Sequence, residues 1–344
     1  MTSRIQVFDK YGYGLGDIEA NTTRSWVLND VGRCDFDFAK TDTKCTPAYL
    51  EFGNILLITH EKLPAWVGVI YTPREWNNEA VNVTAYSAEW ILSKRNTSQK
   101  VVTGTAGTIF KSILNFSNAH PLNDKPILPG SVFDGGVTID EELKDDALTH
   151  VQNIAEASGN DFDVTHSLDI NGRLQLLGNW YEVRGIQTGE YFREGGGDGH
   201  NIELSSNIMT EQDDFYNEIL GYGDAESSST RILSVQYDDD SIRKYGLLQG
   251  ITTLQSSNTP ATVQEATKQY LQENREPKRV FDLSALDVGN TFKKLAVGNV
   301  WNTEIHSVGF LQNGFGASDQ VRIIGMEYID AVNKVRLIVE VVNG

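Results

Sequence analysis

Cysteine is nearly absent from this 344-residue sequence, which holds only Cys34 and Cys45, along with three methionines and eight prolines. Two cysteines without a C-x-x-C spacing support neither a disulfide framework nor a zinc site, and a Cys34–Cys45 hairpin bridge stays open. Cys34 alternates with Phe36 and Phe38, while Asp35 and Asp37 take the other face. That pattern reads as a small core residue on a strand. No apolar run approaches the ~20 residues that span a bilayer, and no basic-then-apolar signal pattern opens the chain. A soluble protein made in a cytosol is expected, with no membrane insertion. Basic residues are also scarce, at 29 Lys and Arg against 47 Asp and Glu, for a net charge of −18. This argues against nucleic-acid binding, which needs positive charge to displace phosphate counterions. It is compatible with a surface that must not adhere to DNA, because like charges repel.

Motifs that carry chemistry are missing as well. The six histidines (His60, His120, His150, His166, His200 and His306) show no HExxH or other i,i+4 pair. His60, beside Glu61 at a strand end, reads as a surface residue rather than a base. There is no GxSxG elbow. Gly12-x-Gly14-x-Gly16 and the Gly195–Gly199 run lack the strand–loop–helix order of a phosphate loop and read as turns and linkers. Asp238-Asp239-Asp240 lacks the EF-hand Gly at position six and Glu at twelve, since Arg243 and Gln249 stand there. A solvated acidic turn is the expectation. A carboxylate pair for glycoside hydrolysis leaves no sequence spacing to recognise. No catalytic, cofactor-binding or metal-ligating residue is assigned, and no cofactor is expected.

What the chain does have is enough apolar residue, 40% with 10% aromatics, for packed cores. Its length calls for two or three domains. Strand patterns dominate, and one of them occurs twice. Gly53-Asn54 opens Ile55–Ile58, followed by Val67–Ile70 and Val81–Tyr86. Gly298-Asn299 opens Val300-Trp301, followed by Val321–Ile324 and Val335–Val339. Val67 to Val81 and Val321 to Val335 are both fourteen residues apart. The pattern points to two related β-modules in one polypeptide, with Gly309–Asp319 lengthening the first connection of the second copy.

In the first third, Ile5–Phe8 ends in a Tyr11–Gly14 turn, and Trp26-Val27-Leu28 leads into the Cys34 strand. Trp66–Tyr71 is apolar on both faces, which implies burial on two sides or one face held for a partner. Pro73 and Asn77-Asn78 mark the next hairpin. The middle differs. Thr105 is a plausible N-cap for a helix with Ile109, Phe110, Ile113 and Leu114 on one face. Pro121, Pro126 and Pro129 fill the following loop. Thr138-x-x-Glu141 is a capping-box candidate for a second helix carrying Leu143, Ala147, Val151, Ile154, Ala155 and Ser158, stopped by Gly159. Phe162–Val164 and Arg173–Leu177 pair across Asn171-Gly172. The last third returns to strands at Glu218–Gly223 and Arg231–Gln236. There a helix is capped by Thr262, buries Val263, Ala266, Thr267, Tyr270 and Leu271, and is followed by Pro277.

These phrases resemble the hub proteins at the distal end of long bacteriophage tails. The likeness runs through Asn217–Gly223, Asp240-Ser241-Ile242 to Tyr245-Gly246, and Ala266 to Tyr270-Leu271 and Pro277. It continues in Gly298-Asn299-Val300, where the family more often carries Asp after the Gly. In the first half it rests on Trp66–Ile70, Tyr86 and Glu89–Arg95, and in the middle on the helix–hairpin at 140–177. The resemblance implies a mainly β fold with an α+β insert, two related antiparallel β-barrel modules flanking a helix–hairpin middle domain. The implied divisions are 1–98, 99–200 and 201–344, the last with an inserted helix near 262–275. It implies a non-enzymatic virion protein at the tail tip, assembled in the host cytoplasm. The partners it implies are two further copies in a homotrimeric pseudo-sixfold ring, the tail tube and distal tail proteins, and a tape-measure protein or central fibre. DNA passes through that ring without specific binding. Some relatives continue into a lytic domain, which is not expected here because the chain stops at Gly344. The rival readings are a tail-associated wall-degrading enzyme with carboxylates in the middle domain, and a receptor- or glycan-binding β-module protein.

Overall fold

The computed structural model describes residues 3–71, 75–97, 100–136, 138–195, 199–211, 215–223, 232–254, 260–277, 279–305 and 320–342. The first third is β1 (Arg4–Phe8), β2 (Gly14–Ile18), β3 (Thr22–Val27), β4 (Arg33–Ala39), the single turn α1 (Pro47–Leu50), β5 (Ile55–Thr59), β6 (Trp66–Ile70), β7 (Glu75–Trp76) and β8 (Ala80–Ser87). The middle runs from a 3₁₀ turn at Ala88–Lys94 through β9 (Lys100–Gly104), α2 (Ala106–Asn118), β10 (Ile127–Val132), β11 (Ile139–Leu143), α3 (Ala147–Ser158), β12 (Asp161–Leu168) and β13 (Leu174–Tyr181). The last third begins with β14 (Gln187–Arg193), β15 (Ile202–Glu211), β16 (Glu218–Gly223), β17 (Leu233–Tyr237), α4 (Asp239–Tyr245), β18 (Gln249–Leu254) and α5 (Pro260–Asn274). It ends with β19 (Arg279–Ala285), a 3₁₀ segment at Val288–Lys294, β20 (Val300–Glu304), β21 (Gln320–Ile329) and β22 (Lys334–Val341). The chain is mainly β, and its strands pair mostly antiparallel.

Alternation decides the cores. Cys34, Phe36 and Phe38 face inward from β4 with Ile5, Val7, Leu56, Ile58, Trp66 and Ile70. The other faces of β5 and β6 present Ile55, Leu57, Val67 and Val69 to α2, α3 and the β12–β13 hairpin. So β6 is buried on both sides within this chain, which settles the two-sided apolar run at Trp66–Ile70. A separate core in the last third gathers Phe281, Leu283, Trp301, Val321, Ile323, Tyr328 and Leu337.

The repeat is real in hydrogen bonds. One half orders its strands β3-β4-β8-β6-β5-β1, and the other orders β15-β19-β22-β21-β20-β14. Taken pairwise, these strands also come in the same order along the chain. At each Gly-Asn corner the Gly has positive φ, 89° at Gly53 and 95° at Gly298. Gly53 N donates to Ile70 O (2.8 Å) and Ile70 N to Asn54 O (2.8 Å); Gly298 N donates to Ile323 O (2.7 Å) and Ile323 N to Asn299 O (3.0 Å). Both Asn side chains donate backward, Asn54 Nδ2 to Ala48 O and Asn299 Nδ2 to Lys294 O. An Asp there could not make that bond at neutral pH.

This bonding corrects the alignment read from spacing. Ile70 corresponds to Ile323, so Val67 matches Gln320 and not Val321. Val67 points at the middle segment while Val321 points into its own core. A slip of one residue exchanges strand faces, and equal fourteen-residue spacings conceal it. The remaining difference is in β1 and β14: β1 runs antiparallel to β5, whereas β14 runs parallel to β20. Strand β14 thus joins the sheet of the last third, although it precedes residue 200.

In the middle, Thr105 caps α2 as expected, accepting from Thr108 N. The Thr138–Glu141 capping box does not form. Ile139, Glu141 and Leu143 alternate inward on β11, which pairs with β9 along its whole length, and the helix starts at Ala147 under an Asp146 cap. Period-2 burial wins over the local cap signal. Asp146→Ala is therefore expected to lower stability by about 1 kcal/mol while Thr138→Ala changes it by less than ~0.5 kcal/mol, measured by urea unfolding. Gly159 does close the helix, at φ 66°. The β12–β13 hairpin turns at Gly172, with Leu168 opposite Leu174 and Phe162 opposite Trp180, so Phe162–Val164 lie across from 178–180 and not 173–177.

Thr262 is a buried residue inside α5, not its cap, because the helix already runs from Pro260, a residue tolerated in a first turn. Cys34 and Cys45 are both free thiols; Cys34 is sealed in the first core. The expected features at Pro73, Gly196–Asp198, Arg231, His306 and Gly309–Asp319 lie outside the described residues.

Candidate functional site

The two halves meet where β3 pairs antiparallel with the C-terminal part of β21, Val27 opposite Gly325 through Thr23 opposite Ile329. Leu28 N extends the ladder to Ile324 O at 2.9 Å. In-phase inward positions on β3 are Thr22 and Arg24, so a guanidinium is carried into the seam. Arg24 Nη1 lies 3.0 Å from Asp330 Oδ2, with side chains 0% and 5% exposed. Thr22 Oγ1 (2.5 Å), Thr22 N (3.1 Å) and Ser3 Oγ (2.7 Å) also donate to that carboxylate. Burial raises the Asp330 pKa, but those donors and Arg24 outweigh it and hold the carboxyl below its ordinary value. The guanidinium sits 4.8 Å from the Tyr328 ring centroid and 5.5 Å from that of Trp26. Its Nε and Nη2, like His60 Nε2, are buried and have no partner among the described residues. His60 packs 5.3 Å from Tyr328 and its pKa is lowered by burial first and then by Arg24. The expected surface histidine is thus part of the seam, because the fold lays β21 over the end of β5.

A second joint fastens the middle to the last third. Arg322 pairs with Asp161 and donates to Arg184 O (3.0 Å), and Arg184 pairs with Asp163 at 2.9 Å. Above it is a cleft of about 260 Å³ lined by Trp26, Trp66, Glu89, Asp163, His166 and Arg184. Burial pushes the Glu89 carboxyl up, against hydrogen bonds from Ser87 and the backbone N–H of Val164. Elsewhere His150 is fully buried, its Nδ1 2.6 Å from Glu141 Oε1 and its Nε2 accepting from Lys144 N and Asp145 N, both at 2.9 Å. This pairing pins the turn between β11 and α3. Asp238 is not a free acidic turn: it caps α4 by accepting from Ser241 N and pairs with Arg275 at 3.0 Å. Among the described residues no group of three or more His, Cys, Asp or Glu could hold a metal ion. Gly12 serves a tight turn at φ 88°, where an added Cβ would lie 2.3 Å from Leu174 O. The polar clusters therefore tie elements together.

The sheet also leaves edges. Among the described residues β15 pairs only with β19, and β7 only with β8. On β7 Trp76 is 63% exposed; elsewhere Phe52, Tyr71 and Trp90 form an aromatic series with ring centroids 6.2 Å and 4.2 Å apart.

Solved structures share this fold. The prophage tail protein gp18 of Listeria monocytogenes EGD-e is similar at a TM-score of 0.61 and 13% identity, over 98% of this chain and 94% of that one. The 43 kDa tail protein of prophage MuSo2 from Shewanella oneidensis gives 0.59 and 11%, over 98% of both chains. A tail protein from Neisseria meningitidis MC58 gives 0.59 and 14%, over 99% of this chain and 97% of that one. The chain thus has the fold of these tail proteins. In sequence, residues 194–320 match the family described as YQBQ-like. No curated protein matches the chain.

Proposed function

We propose that this protein is a structural, non-enzymatic component of a phage tail, the hub at its distal end. Three copies, each with two β-modules, form a pseudo-sixfold ring that joins the tail tube to distal and central tail-tip proteins. The carrying observation is the duplicated strand order with its shared Gly-Asn corner, which places two equivalent units in one chain. The tail-protein fold supports the same reading, and the net charge of −18 suits a lumen that DNA crosses without adhering. Mass measurement of the purified chain is expected to give a trimer, and images of it a ring with six lobes. A stable monomer or dimer that also fails to form rings at high concentration would overturn the reading.

One arrangement favours a lytic enzyme: Glu89, with its raised pKa, stands near Asp163 in the 260 Å³ cleft. Each carboxylate is already engaged, Glu89 by Val164 N and Asp163 by Arg184 and Asn179. Purified peptidoglycan is accordingly expected to stay intact. Degradation that disappears in Glu89→Gln would reverse the choice.

A further inference from the structure

Two edges, one on each half, are complementary by the protein's own example. Strand β3 pairs with β4, which pairs with β8; β15 pairs with β19, which pairs with β22. So β15 occupies in the second half the place of β3 in the first. Likewise β7 occupies the place of the C-terminal part of β21. Trp76 stands opposite Val81 and Glu75 opposite Asn82, as Tyr328 stands opposite Val335 and Glu327 opposite Arg336. Val81 and Val335 are themselves equivalent, being the partners of Phe38 and Ala285. Within the chain, β3 covers β21. Nothing in the chain covers β7 in the same way among the described residues.

The aromatic at the matched position records the difference. Tyr328 is fully buried under the β3 seam, whereas Trp76 is 63% exposed. An exposed tryptophan on an edge strand is the sort of anchor that dominates a protein interface once covered. An edge strand with unpaired N–H and C=O groups templates the addition of another strand.

We propose that β15 of one copy adds antiparallel to β7 of a second copy, repeating between chains the β3–β21 joint found within each chain. This rests on the ring reading and names its contact. Arg24 lies opposite Cys34 as Met209 lies opposite Phe281, and Arg24 lies opposite Tyr328. Carrying that register across places Met209 opposite Trp76, and Thr210 opposite Glu75. Each chain offers one edge of each kind, so the contact is head-to-tail and closes as a ring when the rotation allows.

The test uses full-length protein with Cys45→Ser to remove the half-exposed thiol, Cys34 being buried. Glu75→Cys with Thr210→Cys, treated with a short bis-maleimide, is expected to give covalently linked trimers. Each single-cysteine variant is expected to stay unlinked. Trp76→Arg, at a site exposed enough to spare the fold, is expected to raise the concentration for half-assembly by roughly tenfold or more, with an unchanged unfolding midpoint. Trimers by mass that neither link through this pair nor respond to Trp76→Arg would overturn the joint and leave the ring standing. Monomers at every concentration, unlinked, would overturn both.

Discussion

Replacing Asp330 with alanine is expected to lower unfolding stability by about 3–5 kcal/mol, the usual result of stranding one partner of a buried ion pair. The loss is large because Arg24 keeps its charge and has nowhere wet to turn, its side chain being 0% exposed. Two of its nitrogens lack partners among the described residues, so Asp330 offsets most of the desolvation. Urea unfolding followed by tryptophan fluorescence measures it, since Trp26 lies 5.5 Å from the guanidinium. Replacing both residues, as Arg24→Met with Asp330→Ala, should recover most of the loss, because no charge is then left buried. A cost under ~1 kcal/mol for Asp330→Ala would mean that the seam is hydrated. The pH dependence follows from the depressed Asp330 pKa. The contribution is fully present above the ordinary carboxylate value near ~4 and disappears as pH falls through the lower folded value. The gap between wild type and Asp330→Ala should therefore hold from neutral pH to about 5 and close below about 4.

Alanine at Gly298 is expected to cost more than alanine at Gly53, although the two glycines do the same work. Both have positive φ, which penalises any L side chain by roughly 1–2 kcal/mol. At Gly298 a Cβ would also lie 2.5 Å from Arg184 O and 2.8 Å from Arg184 C, which are backbone atoms. At Gly53 the nearest atom is Lys125 Nζ at 3.0 Å, the end of a flexible chain. Overpacking against fixed backbone adds about 1–3 kcal/mol, so the expected totals are about 2–5 for Gly298→Ala and about 1–2 for Gly53→Ala. Chemical denaturation of the two variants side by side checks the order. Equal costs would mean that the 184–186 segment moves aside easily. The contrast shows how the halves have diverged: the second corner has become a docking point for the chain leaving the middle segment, through Asn299 Oδ1 and Ile186 N at 3.1 Å.

Many of the strands, the repeated pattern and most helix faces were legible because they depend on periodicity, which is local. Strands β9, β14, β15, β18 and β19 were not legible, and β10 reads as a loop and β11 as the start of a helix. Cys34, Phe36 and Phe38 on one face of β4 needed nothing more than alternation. Several local signals misled, Thr262 as a cap and the 162–164/173–177 pairing among them. Thr138 and Glu141 have the spacing of a capping box, yet Glu141 is committed to His150 and its strand to β9. Equal spacing of Val67–Val81 and Val321–Val335 suggested a register that the Gly-Asn corner shifts by one residue. The seam gave a weaker hint: Arg24 falls in phase with buried positions of β3, which flags a buried charge without naming its partner. That partner is 306 residues away.

By itself, the sequence determined many of the strands, the apolar side of each of those, and a strand pattern that occurs twice. Those properties follow from backbone sterics and the period of side-chain placement. Only the tertiary structure decided that β3 crosses to the second half, that Arg24 finds Asp330, and that Tyr328 is covered while Trp76 is exposed. The reason is physical: strand order and ion-pair partners depend on contacts between residues far apart in the chain, and no local propensity specifies them.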